Sequence, residues 1–224
     1  MRVVLVTVGR VEKLPLRGLL RVGLSAGDVV VLIYPRSGGE PEVKKVKKAV
    51  DVIKEFVGRA GAGVRVVDVE VSGLNFYEDV VKILLHLKAQ KASEVVAVLA
   101  GGMRLIVFEV LFALLMLHRH RGCRECSVLL MREDGLYDAV LPVELFYVTV
   151  SRAELAVLRT LRNEGGLKKR RQLIMVVSRE AGVSESGVYK SLKSLAKKKL
   201  VVAEGDVVKL TEMGRLLLLL HEEL

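Results

Sequence analysis

Two short segments combine glycine with arginine in a way that suits an anionic ligand. In each, one or two glycines follow an apolar run, and an arginine comes one or two positions later. Glycine lets a ligand approach the backbone closely, and the free N–H groups and dipole at a helix start favour negative charge. The segments are Thr7-Val8-Gly9-Arg10 and Gly101-Gly102-Met103-Arg104. If they meet at one crevice, they predict a phosphate-rich ligand.

Five further residues could contact a ribose, a base or a further phosphate. They are Arg36, Ser37, Gly38, Asn75 and Phe76. Each also has an ordinary interpretation as a turn or helix-capping residue. Gly9 lacks the G-x-G-x-x-G spacing of dinucleotide-binding proteins, and the second apolar run ends without an acidic residue for a ribose. An NADP-dependent oxidoreductase therefore stays an alternative only through Arg36.

Two other groups of residues could perform chemistry. The first consists of His118, His120, Cys123 and Cys126. Imidazole and thiolate are zinc ligands, but a disulfide between the two cysteines and plain buried thiols are alternatives, and we predict no metal site. The second, Arg215 and His221, has the spacing of a nuclease signature. Residues six positions apart lie on different faces of a helix, so Arg215 and His221 would not meet at one site. We therefore expect a structural closing helix and no catalytic residue.

The N-terminal part alternates valine-rich runs with amphipathic stretches. The runs are almost continuously apolar, as in strands buried on both faces of a parallel sheet. Strands are predicted at 3–8, 29–34, 64–71 and 95–99, helices at 14–22, 42–59, 76–91 and 103–120, and a hairpin-like pair at 126–131 and 136–141 around Glu133-Asp134-Gly135. Right-handed crossovers then give a Rossmann-like, doubly wound, mainly parallel α/β sheet. Its ligand crevice is expected where strand order reverses, between the first and fourth strands.

The C-terminal part predicts a small winged helix-turn-helix domain. Helices at 151–161, 173–181 and 184–198 precede a hairpin at 200–210, and Gly182 separates the second helix from the third. The third helix turns outward a polar, basic face suited to a DNA major groove: Ser184, Ser186, Tyr189, Lys190, Lys193 and Lys197. The basic run from Lys168 to Arg171 is expected to be a solvated loop near backbone phosphate. Protein docking through the winged helix is the alternative.

Charge and composition indicate two roles. The chain has a net charge of +10, of which residues 151–224 contribute +6 through 15 Lys and Arg against 9 Asp and Glu. We therefore expect a ligand-sensing and dimerisation domain at 1–145 and a DNA-binding domain at 146–224. Scarce amides beside 28% charged residues indicate a thermophilic source. No apolar run reaches the roughly 18 residues of a membrane span, and no secretion signal is seen, so a cytoplasmic protein is expected.

The whole chain resembles the CRISPR-associated Rossmann-fold (CARF) transcription regulators of archaea, which join such a sensor to a winged helix. The two glycine segments look like that family's ligand loops. The resemblance implies a homodimer that binds a cyclic oligoadenylate, with cyclic tetra-adenylate as the expected ring size. It also implies binding to double-stranded DNA and a role in antiviral defence. A ring with repeated phosphates suits a two-fold interface that presents the same loops twice. Some relatives cleave their ligand, which Thr7, Ser37 and Arg104 could do by aligning a ribose hydroxyl, although no general base is evident.

Overall fold

The computed structural model describes residues 1–61, 63–132, 134 and 138–223. The side chains of Leu167, Leu220, Glu222 and Glu223 lie outside that description. The chain forms two compact units, Met1–Val143 and Glu144–Leu224, each with its own hydrophobic core. Across the described residues, no helix combines the length and the apolar character needed to span a bilayer.

Strands and helices alternate along the first unit. Its strands are β1 (Arg2–Thr7), β2 (Val29–Pro35), β3 (Arg65–Val71), β4 (Glu94–Leu99), β5 (Glu125–Met131) and β6 (Asp138–Pro142). Its helices are α1 (Lys13–Val22), α2 (Glu40–Ala60), α3 (Phe76–Gln90) and α4 (Arg104–Arg119). The turn and strand start expected before β6 include Glu133, Gly135 and Leu136, which lie outside the described residues.

The strands of the first unit form a single sheet. Within the described part of the chain its order is β3-β2-β1-β4-β5-β6. β1 to β5 run parallel, whereas β6 pairs antiparallel with β5. Strand order reverses between β1 and β4, so the prediction of a doubly wound, mainly parallel α/β sheet is confirmed.

Helices cover both faces of this sheet. Successive residues of a strand point to opposite faces, so Val3 and Leu5 pack in the core beneath α3 and α4. Val4 and Val6 pack in the core beneath α1 and α2. Because both faces are buried, apolar side chains are needed at almost every strand position, which explains the valine-rich sequences of β1 and β2.

One carboxyl group is buried in the core on the α3 and α4 side. The side chain of Glu109 on α4 has no solvent exposure. Neither of its carboxylate oxygens has a hydrogen-bond partner among the described residues. Burial, and secondarily the negative charge of Asp79, raises the pKa of Glu109 to about 7. The group is therefore largely protonated in the folded protein below neutral pH.

We expect Glu109→Gln to remove a pH dependence of stability. In the unfolded chain a glutamate titrates near pH ~4.3, whereas Glu109 in the folded chain keeps its proton up to about pH 7. Its contribution to stability is thus complete at low pH and is lost as the pH rises through that interval. The free energy of unfolding of the wild type should fall, relative to the variant, by about 2 kcal/mol between about pH 5 and about pH 8. Urea unfolding of both proteins measures this, and identical pH dependence would contradict it.

Among its described residues, the second unit combines four α-helices with a small sheet. Its elements are α5 (Arg152–Asn163), β7 (Leu167–Lys169), α6 (Arg170–Ala181), α7 (Glu185–Lys197), β8 (Val201–Glu204), β9 (Val207–Leu210) and α8 (Glu212–Glu223). In the described residues the sheet order is β7-β9-β8, with antiparallel pairing throughout. The helices enclose a core that includes Leu158, Val177 and Leu195.

Capping interactions define where two of these helices begin. Ser151 Oγ accepts from Glu154 N at 3.2 Å, and Ser151 N donates to Glu154 Oε2 at 2.7 Å, which completes a capping box at the start of α5. Glu154 also accepts from Lys198 Nζ at 2.7 Å, which ties the start of α5 to the end of α7. Ser184 Oγ accepts from Gly187 N at 3.2 Å and caps α7. This cap fixes the first turn of α7, the helix whose outward face is exposed to solvent.

The prediction that Lys168 to Arg171 form a solvated loop is wrong. Residues 167–169 form β7, which pairs with β9, and Arg170 begins α6. Lys168 Nζ lies 2.7 Å from Glu164 Oε1. Because the partner strand is distant along the chain, no local pattern in these basic residues signals the pairing.

Candidate functional site

Two glycine loops meet directly at the carboxyl ends of β1 and β4. A Cβ placed on Gly9 would lie 2.6 Å from Gly102 N and 2.9 Å from Gly102 Cα. Side-chain carbons are not found at such distances, so glycine at position 9 is required for this contact. Gly102 has a φ of +101°, a backbone conformation that residues with a Cβ rarely adopt. The two segments that the sequence singles out are therefore brought together where strand order reverses.

Thr7 and Val8 lie behind this junction. Both are fully buried. Thr7 Oγ1 donates to Val98 O at 3.5 Å and accepts from Gly101 N at 3.4 Å, so one hydroxyl links the two loops. Val8 N donates to Ile33 O at 2.8 Å. These residues hold the loops in position, and neither lines the cavity in front of them.

A cavity of about 720 Å³ opens in front of the two loops. Its lining comes from the ends of the first four strands and from α2, and it is largely apolar: Gly9, Arg10, Pro35, Ser37, Gly38, Glu42, Val43, Val46, Leu74, Gly102 and Met103. Small-molecule sites generally combine apolar walls of this kind with a few polar groups. The volume falls within the ~300–1,000 Å³ range of ligand pockets.

The charged groups of the cavity are paired with each other. Arg10 Nε lies 2.5 Å from Glu42 Oε2, and both side chains are substantially exposed to solvent. A pair this exposed contributes little to stability, about 0–1 kcal/mol. A phosphate that entered the cavity could therefore replace Glu42 as the partner of Arg10 at small cost.

A buried carboxylate organises the loop after β3. Asp79 accepts from Ser72 N at 2.8 Å, from Ser72 Oγ at 2.6 Å and from Gly73 N at 2.8 Å. Ser37 Oγ in turn donates to Ser72 O, which joins the loops that follow β2 and β3. These bonds hold Leu74 at the cavity with its side chain 80% exposed.

Several residues that the sequence predicts for the site lie outside the cavity lining. Besides Thr7 and Val8, these are Arg36, Asn75, Phe76, Gly101 and Arg104. Asn75 caps α3 by accepting from Glu78 N, and the ring of Phe76 packs 5.6 Å from that of Phe112. Arg36 and Arg104 are exposed at strand and helix ends. The alternative NADP site through Arg36 thus has no support from the cavity.

Five lining residues were not predicted from the sequence: Pro35, Glu42, Val43, Val46 and Leu74. Val43 and Val46 follow the apolar spacing of an ordinary core helix, so nothing separates their role from packing. The available signal was positional, since the first turns of α2 follow Gly38 at the carboxyl end of β2.

A second candidate surface lies on α7. Its inward residues Val188, Leu192 and Leu195 are buried in the core of the second unit. The predicted outward residues are all exposed: Ser184, Ser186, Tyr189, Lys190, Lys193 and Lys197. This face is available to an anionic partner.

The architecture and both glycine loops fall within one known family. Residues 2–135 match the Csa3 CRISPR-associated Rossmann-like domain. The chain belongs to this family. It is a CRISPR-associated protein with a CARF sensor domain, and the Csa3 match covers both glycine loops and the cavity lining, while the exposed face of α7 lies beyond it. No curated protein matches the chain.

Proposed function

We propose that this Csa3-family protein is a transcription regulator that binds a cyclic oligoadenylate across a homodimer and binds double-stranded DNA through a C-terminal winged helix. The observation that carries the proposal is the contact of Gly9 with Gly102 beside a cavity that also contains Arg10. Backbone N–H groups, an arginine and apolar walls are the features that a nucleotide requires. The resemblance favours cyclic tetra-adenylate among ligands of this class.

The cavity suits part of such a ring. Its apolar walls, including Val43, Val46 and Met103, can contact a purine base, while Arg10 and the glycine backbone can contact a phosphate. A cyclic tetranucleotide carries these features in repeated copies around its ring. Two identical cavities related by a two-fold axis would therefore recognise it by the same contacts made twice.

An exposed apolar surface on α3 and α4 supports the homodimer. Tyr77, Val81 and Leu85 recur every fourth residue on α3 and are 79%, 53% and 62% exposed. Phe108 and Phe112 are exposed on α4, which packs beside α3. Contiguous exposed apolar side chains mark interaction surfaces. We assign this surface to contact with a second copy of the chain.

Leu85→Glu is expected to convert the protein to a monomer. A carboxylate within an apolar interface would be buried without a partner, which costs several kcal/mol. Leu20→Glu is the matched control, because Leu20 on α1 is similarly exposed at 67% and lies on the other face of the sheet. Analytical ultracentrifugation distinguishes the two outcomes. A wild-type monomer, or a Leu85→Glu dimer, would contradict the assignment.

The second unit supports the DNA-binding half of the proposal. Three helices are followed by the β8–β9 hairpin, in the order found in winged helices, and α7 exposes Lys190, Lys193 and Lys197 at spacings of three and four. Ligand at the paired cavities would favour one arrangement of the dimer and so alter the spacing of the two α7 helices. Ligand and DNA would thereby affect each other's binding.

Glu42→Gln is expected to strengthen ligand binding about threefold. The substitution removes the carboxylate that competes for Arg10, and a surface ion pair of this kind contributes up to ~1 kcal/mol. Arg10→Ala should weaken binding by about tenfold or more, because it removes a charge-assisted contact with phosphate. Isothermal titration with cyclic tetra-adenylate measures both changes. Glu40→Gln, in the same helical turn but outside the lining, should leave affinity unchanged, and weaker binding by Glu42→Gln would contradict the competition.

The complete proposal is tested by measuring DNA binding with and without ligand. Duplex DNA selected by the wild-type protein from a random pool is titrated in a gel-shift assay, alone and with saturating cyclic tetra-adenylate. We expect DNA binding whose affinity changes when the cyclic nucleotide is present. A protein that binds the ring but no duplex would instead be a sensor that docks to another protein.

A further inference from the structure

A compact group of sulfur and nitrogen donors lies at the amino edge of the sheet, opposite the ligand cavity. Cys123 and Cys126 form a disulfide between the end of α4 and β5. Cys123 Sγ lies 3.9 Å from His118 Nδ1. The donor atoms of His118, Cys123 and Cys126 all lie within 4.8 Å of one another. The proposed ligand and DNA functions make no use of this cluster.

We propose that, after reduction of the disulfide, His118, Cys123 and Cys126 bind one Zn²⁺ ion. Thiolate and imidazole are the ligands that zinc prefers, with bonds of ~2.3 Å and ~2.0–2.1 Å. In a tetrahedral site these bond lengths separate sulfur from nitrogen by about 3.6 Å and the two sulfurs by about 3.8 Å. The 3.9 Å between Cys123 Sγ and His118 Nδ1 is already close to the sulfur–nitrogen value. Breaking the S–S bond lets the two sulfurs move apart to the sulfur–sulfur value. Water would complete the fourth position.

The surroundings of the cluster provide access for an ion and shield the sulfur atoms from solvent. A cavity of about 440 Å³ opens at the site, lined by Ala92, His118, Arg121, Gly122, Cys123 and Arg124. An ion can enter by this route. Cys123 and Cys126 are only 7% and 3% exposed, which shields the bound metal from competing ligands. Two thiolates would neutralise the charge of the bound dication.

Reduction of the disulfide supplies the two thiols that the metal needs. A phosphine reductant donates two electrons to the disulfide, which breaks the S–S bond. The phosphine takes the oxygen atom of a water molecule and becomes a phosphine oxide. The two protons of that water protonate the two sulfur atoms, so both cysteines become thiols. Zinc then replaces the thiol protons, so its binding releases protons and becomes tighter as the pH rises. The oxidised protein has no thiolate to offer and should not bind zinc at this cluster.

The proposal is tested by titrating Co²⁺ into full-length protein, before and after phosphine reduction and removal of the phosphine. We expect the reduced protein to develop a near-ultraviolet thiolate-to-cobalt band that saturates at one ion per chain and disappears when Zn²⁺ is added. The oxidised protein should show no band. A reduced protein without the band would overturn the proposal.

Variants identify the ligands. Cys126→Ser and His118→Ala should each weaken metal binding by about 100-fold or more, since loss of even an outer-shell partner costs ~10–100-fold. His86→Ala on α3 is the control, because its ring nitrogen contacts Lys82 O and lies outside the cluster. Circular dichroism of the metal-free variants shows whether they are folded. Wild-type affinity in His118→Ala would refute the assigned ligand set.

Discussion

Gly9→Ala is expected to weaken cyclic tetra-adenylate binding by at least about 100-fold. The added methyl would lie 2.6 Å from Gly102 N, and because that atom belongs to the backbone it cannot rotate away. The loops after β1 and β4 would have to separate, which moves Arg10 relative to Met103 across the cavity. Displacements of ~1 Å in a functional site can cost about 100-fold. Isothermal titration of the purified variant measures the loss.

Gly58→Ala is the matched control for that experiment. Gly58 lies on α2, and a Cβ there meets no heavy atom within 4 Å. Alanine in a helix is more favourable than glycine by roughly 0.5–1 kcal/mol, so this variant should be slightly more stable and bind ligand normally. Circular dichroism and ligand-free DNA binding show whether Gly9→Ala is folded. A folded Gly9→Ala protein with wild-type ligand affinity would show that the loop contact does not form the site.

Replacing Lys190, Lys193 and Lys197 together by alanine is expected to weaken DNA binding by about 100-fold near ~0.15 M salt. Each lysine that contacts a phosphate releases counterions, so log affinity falls with log salt by ~0.9 per contact. Losing three contacts should reduce the slope of that plot by about three. All three side chains are exposed on α7, so their removal leaves the core of the second unit unchanged. Fluorescence anisotropy over a salt series measures affinity and slope together.

The control removes the same charge from the other unit. Lys44, Lys47 and Lys48 are exposed on α2, so replacing them by alanine changes the net charge equally. We expect this variant to bind DNA with nearly the wild-type salt slope. An equal loss in both triple variants would mean that overall charge, and not the α7 face, determines DNA binding. The α7 variant should still bind cyclic tetra-adenylate, because none of its changes touches the cavity.

The architecture of the first unit could be predicted because burial constrains every position of its strands. β1 and β2 are covered on both faces and admit almost no polar residue, so their sequences indicate a central parallel sheet directly. The order reversal between β1 and β4 followed from that class of fold. β7 could not be predicted, because its pairing with β9 depends on a distant segment.

The candidate site was predictable only where backbone geometry determines the residue type. Gly9 and Gly102 are required by the close approach of two loops, and that requirement is visible in the sequence. Val43 and Val46 have the same apolar spacing whether they line a cavity or fill a core. Asn75 follows the carboxyl end of β3, as the sequence predicts, but its side chain caps α3. The position of a residue along a strand therefore predicts whether it lies near the site, but it does not predict whether its side chain points into the cavity.

Retention of a nucleotide by the purified protein is the decisive measurement of whether it is a cyclic oligoadenylate sensor. The protein is incubated with an equimolar mixture of cyclic oligoadenylates of different ring size and NADP, separated from free ligand, and examined by native mass spectrometry. We expect one cyclic oligoadenylate bound to two chains, and loss of that species in Gly9→Ala. Retention of NADP alone, or of no nucleotide at all, would contradict it.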